Sequence, residues 1–226
     1  AFPLLSAPCA IVNGRLQAGQ RTLAVCRGTT ALLAAVCLAL EHLKNTSLAG
    51  MRNIRPWAVI AGDTGKGSGS FQVYAKLLEE LPRLMPAGIT YHYLLPDIDW
   101  HGRILSVQES LPRPLFSVAD AGYMYAAKMS GFAASYDLFT PDIGELAFLA
   151  DQNAPHPFYT RNFLLADENK AEDLIASAYA TGGAAKNMLV KGKKDRLVMN
   201  GRTVFCLEEP TVEALEAIGG TGDSLT

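Results

Sequence analysis

The chain has 226 residues, of which 49% are hydrophobic and 19% are charged, and its formal net charge is −2. A chain of this length can bury a sizeable core, and its near-neutral charge removes the electrostatic drive towards nucleic acid or an anionic membrane surface. The four cysteines are widely spaced, without a zinc-binding pattern, and the longest apolar run, Ala31–Leu40, is shorter than the roughly 20 residues that span a bilayer.

The sequence of the N-terminal third of the chain predicts a hairpin, two helices and a short strand. Asn13-Gly14 lies between apolar runs and predicts a tight hairpin turn. Thr29-Thr30 predicts the start of an apolar helix that ends at about Leu43. The run 57–61 is typical of a strand buried on both faces of a parallel sheet, and Phe71–Leu81 has the amphipathic pattern of a helix.

Strand-like and helix-like segments then alternate to the end of the chain. The predicted strands are Ile89–Leu95, Leu115–Ala119, Tyr136–Phe139 and Met188–Lys191, followed by a hairpin of Arg196–Asn200 and Thr203–Leu207. The predicted helices are Ile104–Leu111, Gly122–Met129, Gly144–Asp151 and Ala171–Tyr179. This alternation predicts an α/β fold with a mostly parallel sheet and helices on both faces. Ligands of such sheets bind beyond the carboxyl ends of the strands, so we expect the loops after Ala61, Ala119, Phe139 and Lys191 to share one rim.

The loop Gly62–Ser70 contains four glycines within eight residues, which lets its backbone N–H groups approach a ligand closely. It matches neither the P-loop nor the dinucleotide-binding pattern. We interpret it as a substrate loop in which Asp63, Gly65, Lys66 and Gly67 bind the substrate. The alternative is a flexible turn between a strand and a helix.

Two charged residues are predicted to follow strands directly. Asp120 can hold a substrate hydroxyl or a hydrated cation, or it can act as the N-cap of the next helix. Lys191, followed by Gly192, ends an apolar strand and can pair with a phosphate.

Asp142 and Glu145 stand three residues apart, after Pro141, at the predicted start of a helix. This spacing places both carboxylates on one helix face, where they can recruit Mg²⁺ directly or through water. The alternative is that both carboxylates stabilise the helix dipole.

The loop Gly219-Gly220-Thr221-Gly222-Asp223 has the composition of an anion site at the start of a helix. The N–H groups of Gly220, Thr221 and Gly222 would bind a phosphate, and Asp223 would take a proton from an attacking hydroxyl. A glycine-rich helix cap is the alternative.

Taken together, these loops resemble the ribokinase-like superfamily, in matching order from about Ile60 to Thr226. Within it they are similar to the carbohydrate-kinase-type domain of the ADP- or ATP-dependent NAD(P)H-hydrate dehydratases. The resemblance implies that Asp223 is the catalytic base and that the preceding amides form the anion hole. It places Gly219, Lys191 and Gly192 on the nucleotide side and Asp120 near the substrate, and it gives Asp142 and Glu145 to Mg²⁺ and phosphate. The dehydratases typically carry His-Pro where this chain has Asp142 and Ile143.

The resemblance implies a three-layer ribokinase-like domain over residues 1–226, which lacks the segment that completes the nucleotide pocket. ATP or ADP and Mg²⁺ are the expected cofactors, and the substrate is hydrated NAD(P)H. Two alternatives stay open: a kinase for a sugar or vitamin-like alcohol, and a nucleotide-binding protein without turnover. With no signal peptide at the start of the chain, we expect a cytoplasmic protein that binds neither nucleic acid nor a membrane, and self-association is left open.

Overall fold

The computed structural model describes residues 2–43, 46, 54–156, 168–210, 212 and 221–226. The chain forms two compact units, the first made of residues 1–79 and 212–226 and the second of residues 80–211. Within the described residues, no helix is both long enough and apolar enough to span a bilayer.

The first unit contains an antiparallel sheet with the strand order β3-β2-β1-β4. Its strands are β1 (Leu5–Val12), β2 (Arg15–Ala18), β3 (Arg21–Thr22) and β4 (Trp57–Ile60). The predicted turn at Asn13-Gly14 is confirmed: both residues have positive φ angles, 51° and 70°, as a tight hairpin between twisted strands requires.

Helix α1 (Thr29–Leu43) begins and ends at the residues that the sequence predicts. It buries Leu33, Ala34 and Cys37 in a core shared with apolar side chains of the sheet, among them Leu16 and Ala58. Helix α2 (Ser68–Leu84) follows the glycine-rich loop, and its residues up to Glu79 belong to this unit.

The prediction for residues 57–61 is wrong in one respect. The segment is a strand, but β4 pairs antiparallel with β1 and lies at the edge of the four-stranded sheet, where Trp57 is exposed. The loop after Ala61 therefore follows a strand of a different sheet from the other three loops. A short apolar run encodes burial, but it encodes neither the direction nor the partner of a strand.

The second unit contains a mixed six-stranded sheet with the order β10-β9-β8-β7-β6-β5, which confirms the α/β fold. Its strands are β5 (Gly88–Tyr91), β6 (Phe116–Ala119), β7 (Leu138–Phe139), β8 (Asn187–Val190), β9 (Asp195–Met199) and β10 (Arg202–Leu207). Its helices are α3 (Ile98–Glu109), α4 (Ala121–Met129), α5 (Ile143–Ala150) and α6 (Ala171–Ala180). Strands β5 to β8 are parallel, and β9 and β10 form the predicted antiparallel hairpin.

Aromatic residues fill the centre of the second unit. Tyr91 at the end of β5 and Tyr123 in α4 stack with ring centroids 4.0 Å apart, and Tyr136 meets both rings edge-on. The hydroxyl of Tyr136 also contacts Nε2 of the buried His101 at 2.9 Å. This packing holds the end of β5 against α4, the helix that follows β6.

Candidate functional site

The carboxyl ends of β5, β6, β7 and β8 meet at one edge of the second unit's sheet, because these strands are parallel neighbours. Polar side chains follow each of the four strands. We call the following set the strand-end cluster: His92, Asp120, Thr140, Asp142, Glu145 and Lys191. Such an edge is where open α/β sheets bind their ligands.

The carboxylate of Asp120 stands at the centre of the strand-end cluster and is only 3% exposed. Thr140 Oγ1 donates to its Oδ1 at 2.9 Å, and Lys191 Nζ lies 3.1 Å from the same oxygen. His92 Nε2 lies 3.3 Å from the other oxygen. Side chains that follow β5, β7 and β8 thus surround one buried carboxylate, and their interactions offset the cost of removing its charge from water.

Of the two interpretations of Asp120, the structure does not support the one in which its side chain caps the next helix. Asp120 stands at the N-cap position of α4, but its side chain makes no capping hydrogen bond to that helix, every residue of which is described. Its carboxylate is used by Lys191, Thr140 and His92 instead. The substrate-binding role of Asp120 stays a prediction.

The backbone after Asp120 is strained. Ala121 has a φ of +48°, a left-handed conformation that costs a non-glycine residue about 1–2 kcal/mol. Gly122 packs so tightly against the carbonyl oxygen of Leu94 that a Cβ atom there would collide with it. Strain of this kind persists where the surrounding structure enforces it, and it is concentrated at functional sites.

Asp142 and Glu145 form a reciprocal capping box at the start of α5. Asp142 Oδ1 accepts from the Glu145 N–H at 2.7 Å, and Glu145 Oε2 accepts from the Asp142 N–H at 2.9 Å. The hydroxyl of Tyr125, from α4, donates to Glu145 Oε1 at 3.0 Å. Burial, followed by the charges of Asp142 and Asp120, raises the pKa of Glu145 to about 7.

The Asp142–Glu145 pair fits Mg²⁺ better than it fits a metal held by protein ligands alone. Within the described residues, no group of three or more His, Cys, Asp or Glu side chains could hold a metal ion. Mg²⁺ usually takes one or two carboxylates and completes its octahedron with water and phosphate oxygens. The capping box and the metal site are compatible, because each carboxylate has further lone pairs beyond those used in the box.

Lys191 follows β8 directly, and its backbone is fixed to the loop after β7. Its N–H donates to the carbonyl of Pro141 at 2.8 Å, and it forms an isolated parallel bridge with Asp142. The N–H of Gly192 donates to Asp195 Oδ1 at 3.0 Å. The structure therefore brings Lys191, Asp120, Asp142 and Glu145 together, as the sequence predicts.

The glycine-rich loop of the first unit is organised by its own aspartate. Asp63 Oδ1 accepts from the N–H groups of Gly65, Lys66 and Gly67, and Oδ2 accepts from the N–H and hydroxyl of Ser70. Hydrogen bonds from Ser70 and these glycines lower the pKa of Asp63. The amides expected to approach a ligand thus already hold a carboxylate, whereas the Lys66 side chain is exposed. Substrate binding by this loop stays a prediction.

Asp223 is buried in the first unit, where its Oδ2 accepts from the N–H of Gly28 at 2.6 Å. Gly222–Leu225 form a single 3-10 turn, and Thr221 precedes it with helical φ and ψ angles. Gly219 and Gly220 lie outside the described residues. The roles predicted for this loop, those of Thr221 and Gly222 included, therefore stay predictions.

Three residues of this environment carry no functional prediction from the sequence: His92, which the strand pattern around it indicates to be structural, Thr140 and Tyr125. Thr140 follows a strand in the same way as Asp120, so the rule that singled out Asp120 would have found it. His92 was hidden because the apolar pattern predicted a strand to Leu95, whereas β5 ends at Tyr91. Tyr125 lies within a helix, and no local pattern marks it as a partner of Glu145.

The chain is similar in sequence to the uncharacterized protein MJ1337 of Methanocaldococcus jannaschii. The two are 39% identical over 169 residues, which make up 74% of this chain and 68% of the relative. No family model matches the chain.

Solved structures show a more distant likeness. Phosphofructokinase-2 of Escherichia coli in complex with fructose-6-phosphate aligns with 100% of this chain and 81% of its own, at 14% identity and a TM-score of 0.45. A mutant of the same enzyme aligns with 94% of this chain and 78% of its own, at 14% identity and a TM-score of 0.43. The fold class stated above rests on the strands and helices of the chain itself.

Proposed function

We propose that this chain, which belongs to the same family as the uncharacterized protein MJ1337 of Methanocaldococcus jannaschii, is a ribokinase-like kinase that phosphorylates a hydroxyl group of a small molecule. The observation that carries the proposal is the buried Asp120–Lys191 pair beside Asp142 and Glu145, at the carboxyl ends of four strands. One cation and a pair of carboxylates at such an edge are the groups that a nucleotide phosphate and its Mg²⁺ require.

Each charged group has a distinct task in this proposal. Lys191 neutralises charge on the nucleotide phosphates, and Asp120 holds its ammonium group in place. Asp142 and Glu145 would hold Mg²⁺, which would supply positive charge beside the nucleotide phosphates. The motif resemblance assigns Asp223 the role of the base, which would accept the proton of the attacking hydroxyl. The oxygen of that hydroxyl forms the new bond to phosphorus as the bond to ADP breaks.

The charges of the strand-end cluster support the proposal that the nucleotide binds together with its cation. The cluster contains the carboxylates of Asp120 and Asp142, the carboxyl group of Glu145 with its pKa of about 7, and the ammonium group of Lys191. A free polyphosphate would be repelled by these carboxylates more strongly than a Mg²⁺-bound nucleotide, because the bound cation cancels part of the phosphate charge. In this proposal, residues 1–226 work together as one functional domain.

The test is release of ADP from ATP and Mg²⁺ in the presence of a panel of sugars and vitamin-like alcohols. The expected result is ADP formation that depends on one class of acceptor and is abolished by Glu145→Gln and by Lys191→Gln. Lys186→Gln is the matched control, because Lys186 pairs with Asp137 before β8 begins, whereas Lys191 follows the end of β8. If no acceptor stimulates ADP formation although ATP binds, the protein is a nucleotide-binding protein without turnover.

A second candidate is the NAD(P)H-hydrate dehydratase, which the order of the motifs favours. It would begin with the same phosphoryl transfer, to the hydroxyl of the hydrated cofactor, and would continue with loss of phosphate. Incubation with hydrated NADH and ATP or ADP separates the two. Reappearance of the absorbance of reduced nicotinamide supports the dehydratase, and its absence, with a phosphorylated alcohol found elsewhere, supports the kinase.

A further inference from the structure

We infer that Tyr125 is a positioning residue for the metal-binding carboxylate of Glu145, a role that no motif of the sequence assigns to it. The inference rests on the proposed function in one respect, because it takes Glu145 as a ligand of Mg²⁺. The hydroxyl of Tyr125 donates to Glu145 Oε1 at 3.0 Å from the neighbouring helix α4.

The two oxygens of Glu145 are held from different helices. Oε2 accepts the backbone N–H of Asp142, at the start of α5, and Oε1 accepts the Tyr125 hydroxyl. Two donors, one on each oxygen, fix the plane of the carboxylate. The capping box alone would hold only Oε2 and would leave that plane free to turn. Mutation of a residue that hydrogen-bonds a metal ligand in this way typically weakens metal binding by about 10–100-fold.

The ring of Tyr125 is itself held in place. It packs edge-on against Phe148 of α5, with centroids 5.1 Å apart and an interplanar angle of 79°. A tyrosine hydroxyl is protonated at physiological pH and can therefore donate this hydrogen bond. The hydroxyl is thus a rigid donor, and its removal leaves the ring packing in place.

Tyr125→Phe separates positioning from packing because it deletes only the hydroxyl. The matched control is Tyr179→Phe, which deletes a hydroxyl that donates to the carbonyl of Lys186 at 3.1 Å, just before β8 begins. Glu145→Gln defines which part of the metal binding belongs to this site.

Binding of Mn²⁺ alone, as a paramagnetic substitute for Mg²⁺, is measured by electron paramagnetic resonance of the free ion. The expected result is a site in the wild type that Glu145→Gln removes, weakened about tenfold by Tyr125→Phe and unchanged by Tyr179→Phe. Equal affinity in the wild type and Tyr125→Phe would overturn the inference, as would the absence of any site that depends on Glu145. The titration contains neither nucleotide nor acceptor, so a protein without kinase activity can still support or refute the role of Tyr125.

Discussion

The backbone N–H of Gly28 donates a 2.6 Å hydrogen bond to Oδ2 of Asp223, which lies 195 positions later in the chain. Gly28 directly precedes α1, and its carbonyl accepts from the N–H groups of Ala31 and Leu32 in the first turn. The residue that the motif marks as the catalytic base therefore also anchors the start of a helix. The two roles make different demands on the side chain, because an anchor needs an acceptor oxygen and a base needs an ionisable carboxylate.

We predict that Asp223→Asn folds with nearly wild-type stability but loses turnover, since an amide oxygen accepts a hydrogen bond but takes up no proton. Asp223→Ala removes the acceptor as well and should destabilise the protein by about 1 kcal/mol. Urea unfolding and ADP release measure the two effects separately. Wild-type turnover in Asp223→Asn would leave Asp223 with the anchoring role alone.

The Asp120–Lys191 pair should show the energetics of a buried ion pair, because the side chains are 4% and 14% exposed. Lys191→Met leaves a buried carboxylate without its cation and should cost about 3 kcal/mol. The double variant with Asp120→Asn should cost less than the sum of the single changes, because it removes both charges. Lys186→Met, at an ion pair in which the lysine is 56% exposed, should cost at most about 1 kcal/mol. Equal losses at Lys191 and Lys186 in urea unfolding would contradict this account.

Adjacent positions at the start of α4 should respond to substitution with opposite signs. Ala121→Gly removes the strain of a left-handed alanine and should stabilise the protein by about 0.5 kcal/mol, after the added entropy of the unfolded chain is counted. Gly122→Ala places a methyl group against the Leu94 carbonyl and should destabilise it by about 2 kcal/mol. Thermal unfolding of the two variants tests the pair, and a gain from Gly122→Ala would refute the close packing.

Stability should fall in mild acid because of His101. Burial lowers the pKa of this histidine from 6.5 to about 4, so the unfolded state takes up a proton at pH 5 that the folded state does not. Stability from this group is therefore complete above pH 6.5 and is lost as the pH falls towards 4, by about 2 kcal/mol at pH 5. His101→Gln should lose less stability between pH 7 and pH 5 than the wild type in urea unfolding. An identical loss in both proteins would show that other groups dominate acid unfolding.

Local sequence signals predicted the hairpins and the α/β alternation well, because these depend on periodicity and turn residues. Asn13-Gly14 and Asn200-Gly201 both adopt the positive φ angles that their turns require. The same signals could not place β4, because its pairing of Ile60 with Leu5 joins residues far apart in the chain.

Only those residues of the candidate site that carry a local sequence signal could be predicted. Asp120 and Lys191 were found because a charged residue after an apolar strand is visible in the sequence. Tyr125 was not found because its contact with Glu145 depends on how α4 packs beside α5, which no spacing within either helix encodes. The ring of backbone N–H groups around the Asp63 carboxylate could not be predicted either. A glycine-rich loop that binds a ligand and one that binds its own aspartate have the same composition.

The most direct test of the proposed function is the binding of Mg²⁺-ATP, measured by titration calorimetry on the wild type, Lys191→Gln and Lys186→Gln. These two lysines flank opposite ends of β8, so each serves as the control for the other. We predict that the wild type binds and that Lys191→Gln weakens binding at least about tenfold, or about 1.4 kcal/mol, whereas Lys186→Gln leaves it unchanged. Failure of the wild type to bind, or equal binding by Lys191→Gln, would contradict a nucleotide site at this edge of the sheet.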